Sequence, residues 1–137
     1  MQLLSASAVL NTIGAVVLAI LILLAMITVH EFGHYVAGKR LGFKINEFAI
    51  GFGPALIKRK SKKSGEVFSV RAIPLGGYCA FEGEESEGGL LTKNSFNSKP
   101  PWQRIIVLVS GALFNYITAV VLIIISFLAF GQMVVRL

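Results

Sequence analysis

The 137-residue sequence contains no Asp, and its seven acidic residues are all Glu. A single cysteine, Cys79, excludes an internal disulfide and with it a cysteine-stapled secreted scaffold. Charge is scarce: 15% of residues are charged against 55% hydrophobic, and the mean hydropathy is +0.74. That balance excludes a disordered chain and does not suit a soluble domain. Two stretches, residues 1–29 and 105–135, carry no charged side chain at all. Each exceeds the ~20 residues needed to cross a bilayer core.

These runs predict transmembrane helices over about 8–38 and about 105–130. The first has no basic leader and passes straight into polar residues, which argues against a cleaved signal peptide. A buried hairpin in a soluble protein is disfavoured, because too little chain remains to cover two such helices. Thirteen Lys and Arg oppose the seven Glu, and all but Arg136 fall between the spans. The positive-inside rule then puts residues about 39–104 on the cytoplasmic side and the N-terminus outside the cytoplasm. The cluster Lys58, Arg59, Lys60, Lys62, Lys63 fits that topology signal and contact with anionic lipid. Nucleic acid is not an expected partner, since no binding motif or aromatic interleaving accompanies the charge.

The only two histidines close the first span, in His30-Glu31-Phe32-Gly33-His34. On a helix, positions i and i+4 share a face, so both imidazoles can reach one Zn²⁺. Glu31 is placed to act as a general base on water beside the metal. This is the H-E-x-x-H arrangement of metalloproteases. The plain alternative is a pair of interfacial histidines with an acidic neighbour. Ionisable groups in an apolar run are costly, which favours the functional reading. His34 precedes Lys39 by five residues, or about 7–8 Å of helix, so the site lies in the membrane near its cytoplasmic face.

Between the spans, 45–52 and 67–73 read as strands of a hairpin or small sheet, about 43–81 in all. The sheet is either a substrate-pairing edge or simply a β-structured loop. Pro74-Leu75-Gly76-Gly77-Tyr78 reads as a tight turn whose glycines permit positive φ or close backbone approach. Cys79 reads as a small buried residue rather than a ligand. Residues about 82–99 include the acidic, glycine-rich stretch 82–89 and read as a flexible loop. Trp102 and Arg104 stand where interfacial anchors belong. Asn115 is a polar group in an apolar span, serving either helix packing or contact near the metal.

Taken in order, HEFGH, Ile50-Gly51-Phe52-Gly53, Ile73 to Tyr78, Phe96-Asn97 with Gln103-Arg104, and Gly111 to Asn115 resemble the N-terminal part of a bacterial site-2 protease, the RseP-like intramembrane zinc metalloproteases. The resemblance covers nearly the whole chain. It implies a mainly α membrane protein of the bacterial inner membrane, with two transmembrane helices and a cytoplasmic or membrane-associated β-hairpin between them. It implies zinc held by His30 and His34, Glu31 as catalytic base, and cleavage of membrane-anchored substrates such as anti-sigma factors within their transmembrane segments. Ile50, Gly51, Phe52, Gly53, Gly76, Gly77, Tyr78 and Asn115 would bind substrate. The family's third zinc ligand is an Asp in an L-D-G motif on a later helix, beyond one or more PDZ domains. Neither the motif nor a PDZ domain occurs in these 137 residues. The expectation is therefore a partial catalytic core, inactive alone, whose partners include the rest of the protease and the lipid bilayer. Two competing readings remain: a non-enzymatic membrane adaptor or pseudoprotease, and a metal-transport component.

Overall fold

The computed structural model describes residues 5–84 and 92–131. Residues 85–91 of the expected loop, Glu85 and Glu87 among them, and Arg136 lie outside the described residues. The elements run α1 (Ala6–Arg40), β1 (Ile45–Lys60), β2 (Val67–Phe81), a short 3₁₀ turn (Phe96–Ser98) and α2 (Pro101–Phe130). Both α-helices are long and apolar enough to cross a membrane.

Local chemistry sets the helix ends. Ser5 caps α1 by accepting a hydrogen bond from the Ala8 amide. At the other end Gly42 takes a positive φ of 75°, and the Phe43 amide reaches back to the Gly38 carbonyl at 2.9 Å. That is a Schellman stop, with Lys39 and Arg40 in the last turn facing the negative end of the dipole. Helix α2 opens on Pro101, whose missing amide has no partner to lose there. Both helices expose large aliphatic side chains over most of their length, from Val9 to Leu23 and from Ile105 to Phe130. Such a surface needs lipid or further protein around it.

The helices cross through small residues. A Cβ at Gly33 would lie 2.5 Å from the Ser110 carbonyl oxygen and 3.0 Å from Gly111 Cα. Only glycine lets α1 and α2 approach this closely. Below the crossing, Phe43, Ile45, Phe81, Phe96 and Val107 form a small shared core.

The β-segment is the expected hairpin or small sheet, but its strands run beyond the 45–52 and 67–73 read from the sequence. Both strands are longer, at 16 and 15 residues, and pair antiparallel. The stretch Pro74 to Tyr78 lies within β2 and is not a turn. Neither Gly76 nor Gly77 has positive φ; that conformation falls at Gly51 and Gly53, at 86° and 82°. The two central glycines serve close approach instead. Phe52 lies against Gly76, and a Cβ at Gly77 would meet the Ala49 carbonyl oxygen at 2.8 Å.

Bending at the glycines makes the strands meet in three places. Residues 45–50 pair with 77–81 on one side, and 55–60 pair with 67–71. Residues 47–50 also pair with 67–70, both numbers rising together, so this contact is a parallel step. Residues 45–50 are thus interior, while 77–81 and 55–60 are the two edges among the described residues. Lys58 to Lys60 occupy the far edge, where charge discourages pairing with another chain. The expected loop 82–99 is anchored at its end, because Ser95 and Phe96 are buried in the shared core at 0% and 9% exposure.

Two ionic contacts fix the sheet against α1 and within itself. Glu66, 6% exposed, accepts from Lys39 Nζ at 2.7 and 2.8 Å and from the Tyr35 hydroxyl at 3.1 Å. Glu47 accepts from Ser69 Oγ at 2.6 Å and Arg71 Nη2 at 2.8 Å. Burial alone would raise the Glu47 carboxyl, but hydrogen bonds from Ser69, Arg71 and Tyr78 outweigh it and hold it below its ordinary value.

Candidate metal centre

Helix α1 presents two adjacent faces to two neighbours. His30, Gly33 and His34 face α2, while Ile27, Glu31 and Gly38 face β2. The spacing of the motif therefore splits its chemistry between two walls. The imidazoles turn to the helix crossing, and Glu31 Cγ lies against Gly77 of the sheet edge.

The imidazoles converge. Their ring centroids are 4.8 Å apart, edge to face. A Cβ built on Gly111 would lie 2.5 Å from His34 Nε2 and 2.7 Å from His30 Nε2. One potential ligand atom each from His30, Glu31 and His34 lies within 4.8 Å of the others. Glycine at 111 leaves open the space to which both Nε2 atoms turn.

The opposite ring nitrogens are held by α2. His34 Nδ1 lies 2.7 Å from the Val107 carbonyl oxygen. A carbonyl only accepts, so the proton sits on Nδ1 and the Nε2 lone pair is free. The Ser110 hydroxyl donates to the same carbonyl and fixes it. His30 Nδ1 faces the Asn115 side chain, with Nδ2 at 3.4 Å. Imidazoles with convergent near nitrogens, one of them with its far nitrogen held by a carbonyl, suit a tetrahedral ion with nitrogen ligands such as Zn²⁺. The residues present fit a zinc ion as two of its ligands.

A cavity of about 580 Å³ opens beside this centre, lined by Glu31, His34, Tyr78, Cys79, Phe81 and Val107 among others. Its β wall is the sheet edge 77–81, and a Cβ on Gly77 would lie 3.7 Å from Glu31 Cγ. Burial pushes the Cys79 thiol up to about 12, with the negative charge of Glu31 adding to it. Cys79 is thus a protonated wall residue.

The substrate-site residues named from the sequence fall in different places. Gly77 and Tyr78 stand at the cavity, and Asn115 stands behind His30. Ile50 pairs with both Gly77 and Val70, so its backbone has no free side. Phe52 and Gly53 lie toward the exposed bend, away from the cavity lining. Sequence reasoning missed Val107 and Ser110. Val107 acts through its carbonyl, which no side-chain pattern reveals. The small pair Ser110-Gly111 was a readable sign of the crossing.

An i, i+4 histidine pair with an intervening carboxylate, set in an apolar helix beside a cavity, is the arrangement of metallohydrolase centres of the H-E-x-x-H kind. Peptidase family M50, the site-2 protease family, matches residues 18–136, and the chain belongs to it. Relatives are named as zinc metalloproteases. One from Fusobacterium nucleatum is 39% identical over 109 residues, covering 80% of this chain and 31% of its own length. One from Chlamydia trachomatis is 41% identical over 120 residues, covering 80% of this chain and 19% of its own. Metalloprotease MmpA of Caulobacter vibrioides is 34% identical over 130 residues, covering 80% and 32%. The chain thus spans less than a third of the length of these relatives.

Proposed function

We propose that this chain supplies the zinc-binding half of an intramembrane metalloprotease that cleaves membrane-anchored proteins, anti-sigma factors among them, within their transmembrane segments. The observation that carries the reading is the convergence of His30 and His34 Nε2 on Gly111, with Glu31 turned to the adjoining cavity. A third protein ligand is needed for a catalytic site. By family resemblance that ligand is an Asp, a residue type these 137 residues do not contain.

Zinc, when bound, supplies Lewis acidity toward water and the scissile carbonyl. The protein's own residues do the rest. Glu31 accepts the proton of the attacking water and returns it to the leaving amine. Val107 and Asn115 hold the imidazoles from behind. A membrane helix hides its peptide bonds, so the substrate must unwind before it reaches Glu31. Unwound backbone needs new hydrogen-bond partners, and the sheet edge 77–81 supports adding it as a strand across the cavity mouth. The family resemblance puts that role on both 50–53 and 76–78, and of these the open edge next to Glu31 favours Gly77, Tyr78 and their neighbours.

The same reading has the protein in the bacterial inner membrane, with its N-terminus outside the cytoplasm and residues 39–104 on the cytoplasmic side. The test is a Glu31→Gln variant of the full-length protein, assayed on a membrane-anchored substrate. Loss of cleavage with zinc retained is expected. Cleavage at the wild-type rate excludes Glu31 as the base and favours a differently built site.

A further inference from the structure

The two imidazoles are supported differently from behind. His34 Nδ1 has the Val107 carbonyl at 2.7 Å, which settles its proton. His30 Nδ1 has Asn115 Nδ2 at 3.4 Å, a donor facing a nitrogen, while Asn115 Oδ1 is buried with no hydrogen-bond partner. In that orientation Nδ1 must accept, so the His30 proton would sit on Nε2 and block the lone pair that converges on Gly111. The carboxamide's oxygen and nitrogen are nearly equal in size. A half-turn about the last side-chain torsion exchanges them without repacking. It gives the orphaned Oδ1 to an Nδ1 proton and frees Nε2.

Resting on the zinc-centre reading above, we propose that Asn115 is the positioning residue of His30: its Oδ1 accepts from Nδ1–H and so selects the imidazole tautomer that can bind zinc. Asn115 then acts on the metal through His30 rather than by touching the substrate. Helix α2 would thereby fix both histidines, one through a backbone carbonyl and one through a side-chain carbonyl two turns further on.

The test measures zinc affinity of the full-length protein in detergent by competition with a chromophoric chelator. Asn115→Leu removes the acceptor, and Asn115→Asp keeps one. Wild-type protein is expected to bind zinc, Asn115→Leu to bind it about 10–100-fold more weakly, and Asn115→Asp to stay close to wild type or tighter. The Co²⁺-substituted protein gives a second readout. Its visible ligand-field spectrum should be kept by Asn115→Asp and altered by Asn115→Leu, which simple helix packing would not produce. Equal zinc affinity in all three proteins overturns the proposal while leaving the zinc centre standing. A change confined to KM for substrate also overturns it. Wild-type protein that binds no zinc overturns both it and the reading beneath it.

Discussion

Gly111→Ala is the smallest change that should disable the centre. The new methyl group would lie 2.5 Å from His34 Nε2 and 2.7 Å from His30 Nε2. Ordinary carbon contacts need ~3.5 Å, so each ring must retreat by roughly 1 Å. The rings can swing, so the fold survives. Zinc ligation tolerates only about ±0.2 Å around its bond lengths, so convergence does not survive. Changes behind a ligand weaken metal binding by about 10–100-fold. A methyl group between the ligand atoms should cost at least that, about 1.4–2.8 kcal/mol or more. Helix propensity acts in the opposite direction, since Ala is favoured over Gly by about 1 kcal/mol inside a helix. A Gly111 with no part in the site therefore predicts a protein at least as stable with unchanged zinc binding. Chelator competition, with far-ultraviolet circular dichroism as the folding check, separates the two. Gly14→Ala is the control, because nothing lies within 4 Å of its Cβ. Zinc affinity of Gly111→Ala within twofold of wild type would refute the reasoning.

Three further outcomes are expected. Cys79 should label slowly: with its thiol pushed to about 12 rather than an ordinary 9.0, iodoacetamide at pH 8 should react roughly 1000-fold more slowly than with an unfolded control, and comparable rates would show an accessible thiolate. Gly77→Val should spare zinc binding but abolish cleavage, because its Cβ meets the Ala49 carbonyl at 2.8 Å and pushes the sheet edge off its register; full cleavage would remove this edge from the account. Lys39→Met leaves the buried Glu66 carboxylate without its ammonium partner. With Lys39 half exposed, the expected loss is about 1–2 kcal/mol, read as a lower thermal midpoint, and no change would show that the contact holds nothing.

The legible part of the molecule was its helical part. Uncharged runs show in composition, and His30, Glu31 and His34 share a helix turn by spacing alone. What each faces was not legible, because it depends on two partners distant in sequence, α2 for the histidines and β2 for the carboxylate. Asn115 stood out as polar in an apolar helix, yet its neighbour His30 is 85 positions away. The β-segment was the least legible. Pro74-Leu75-Gly76-Gly77 has turn composition, but its glycines sit in strand because Phe52 and the Ala49 carbonyl need the room. The parallel step of 47–50 on 67–70 leaves no periodic trace. Nothing in the sequence around Glu66 marks the contacts that Lys39 and Tyr35 make with it.

In the proposed centre, His30 and His34 hold a zinc ion which Glu31 serves but need not bind. That arrangement is tested most directly by the zinc content of purified full-length protein, measured by inductively coupled plasma mass spectrometry. About one zinc per chain is predicted for wild type and for Glu31→Gln, and close to none for His34→Ala. Equal zinc in wild type and His34→Ala would contradict the account.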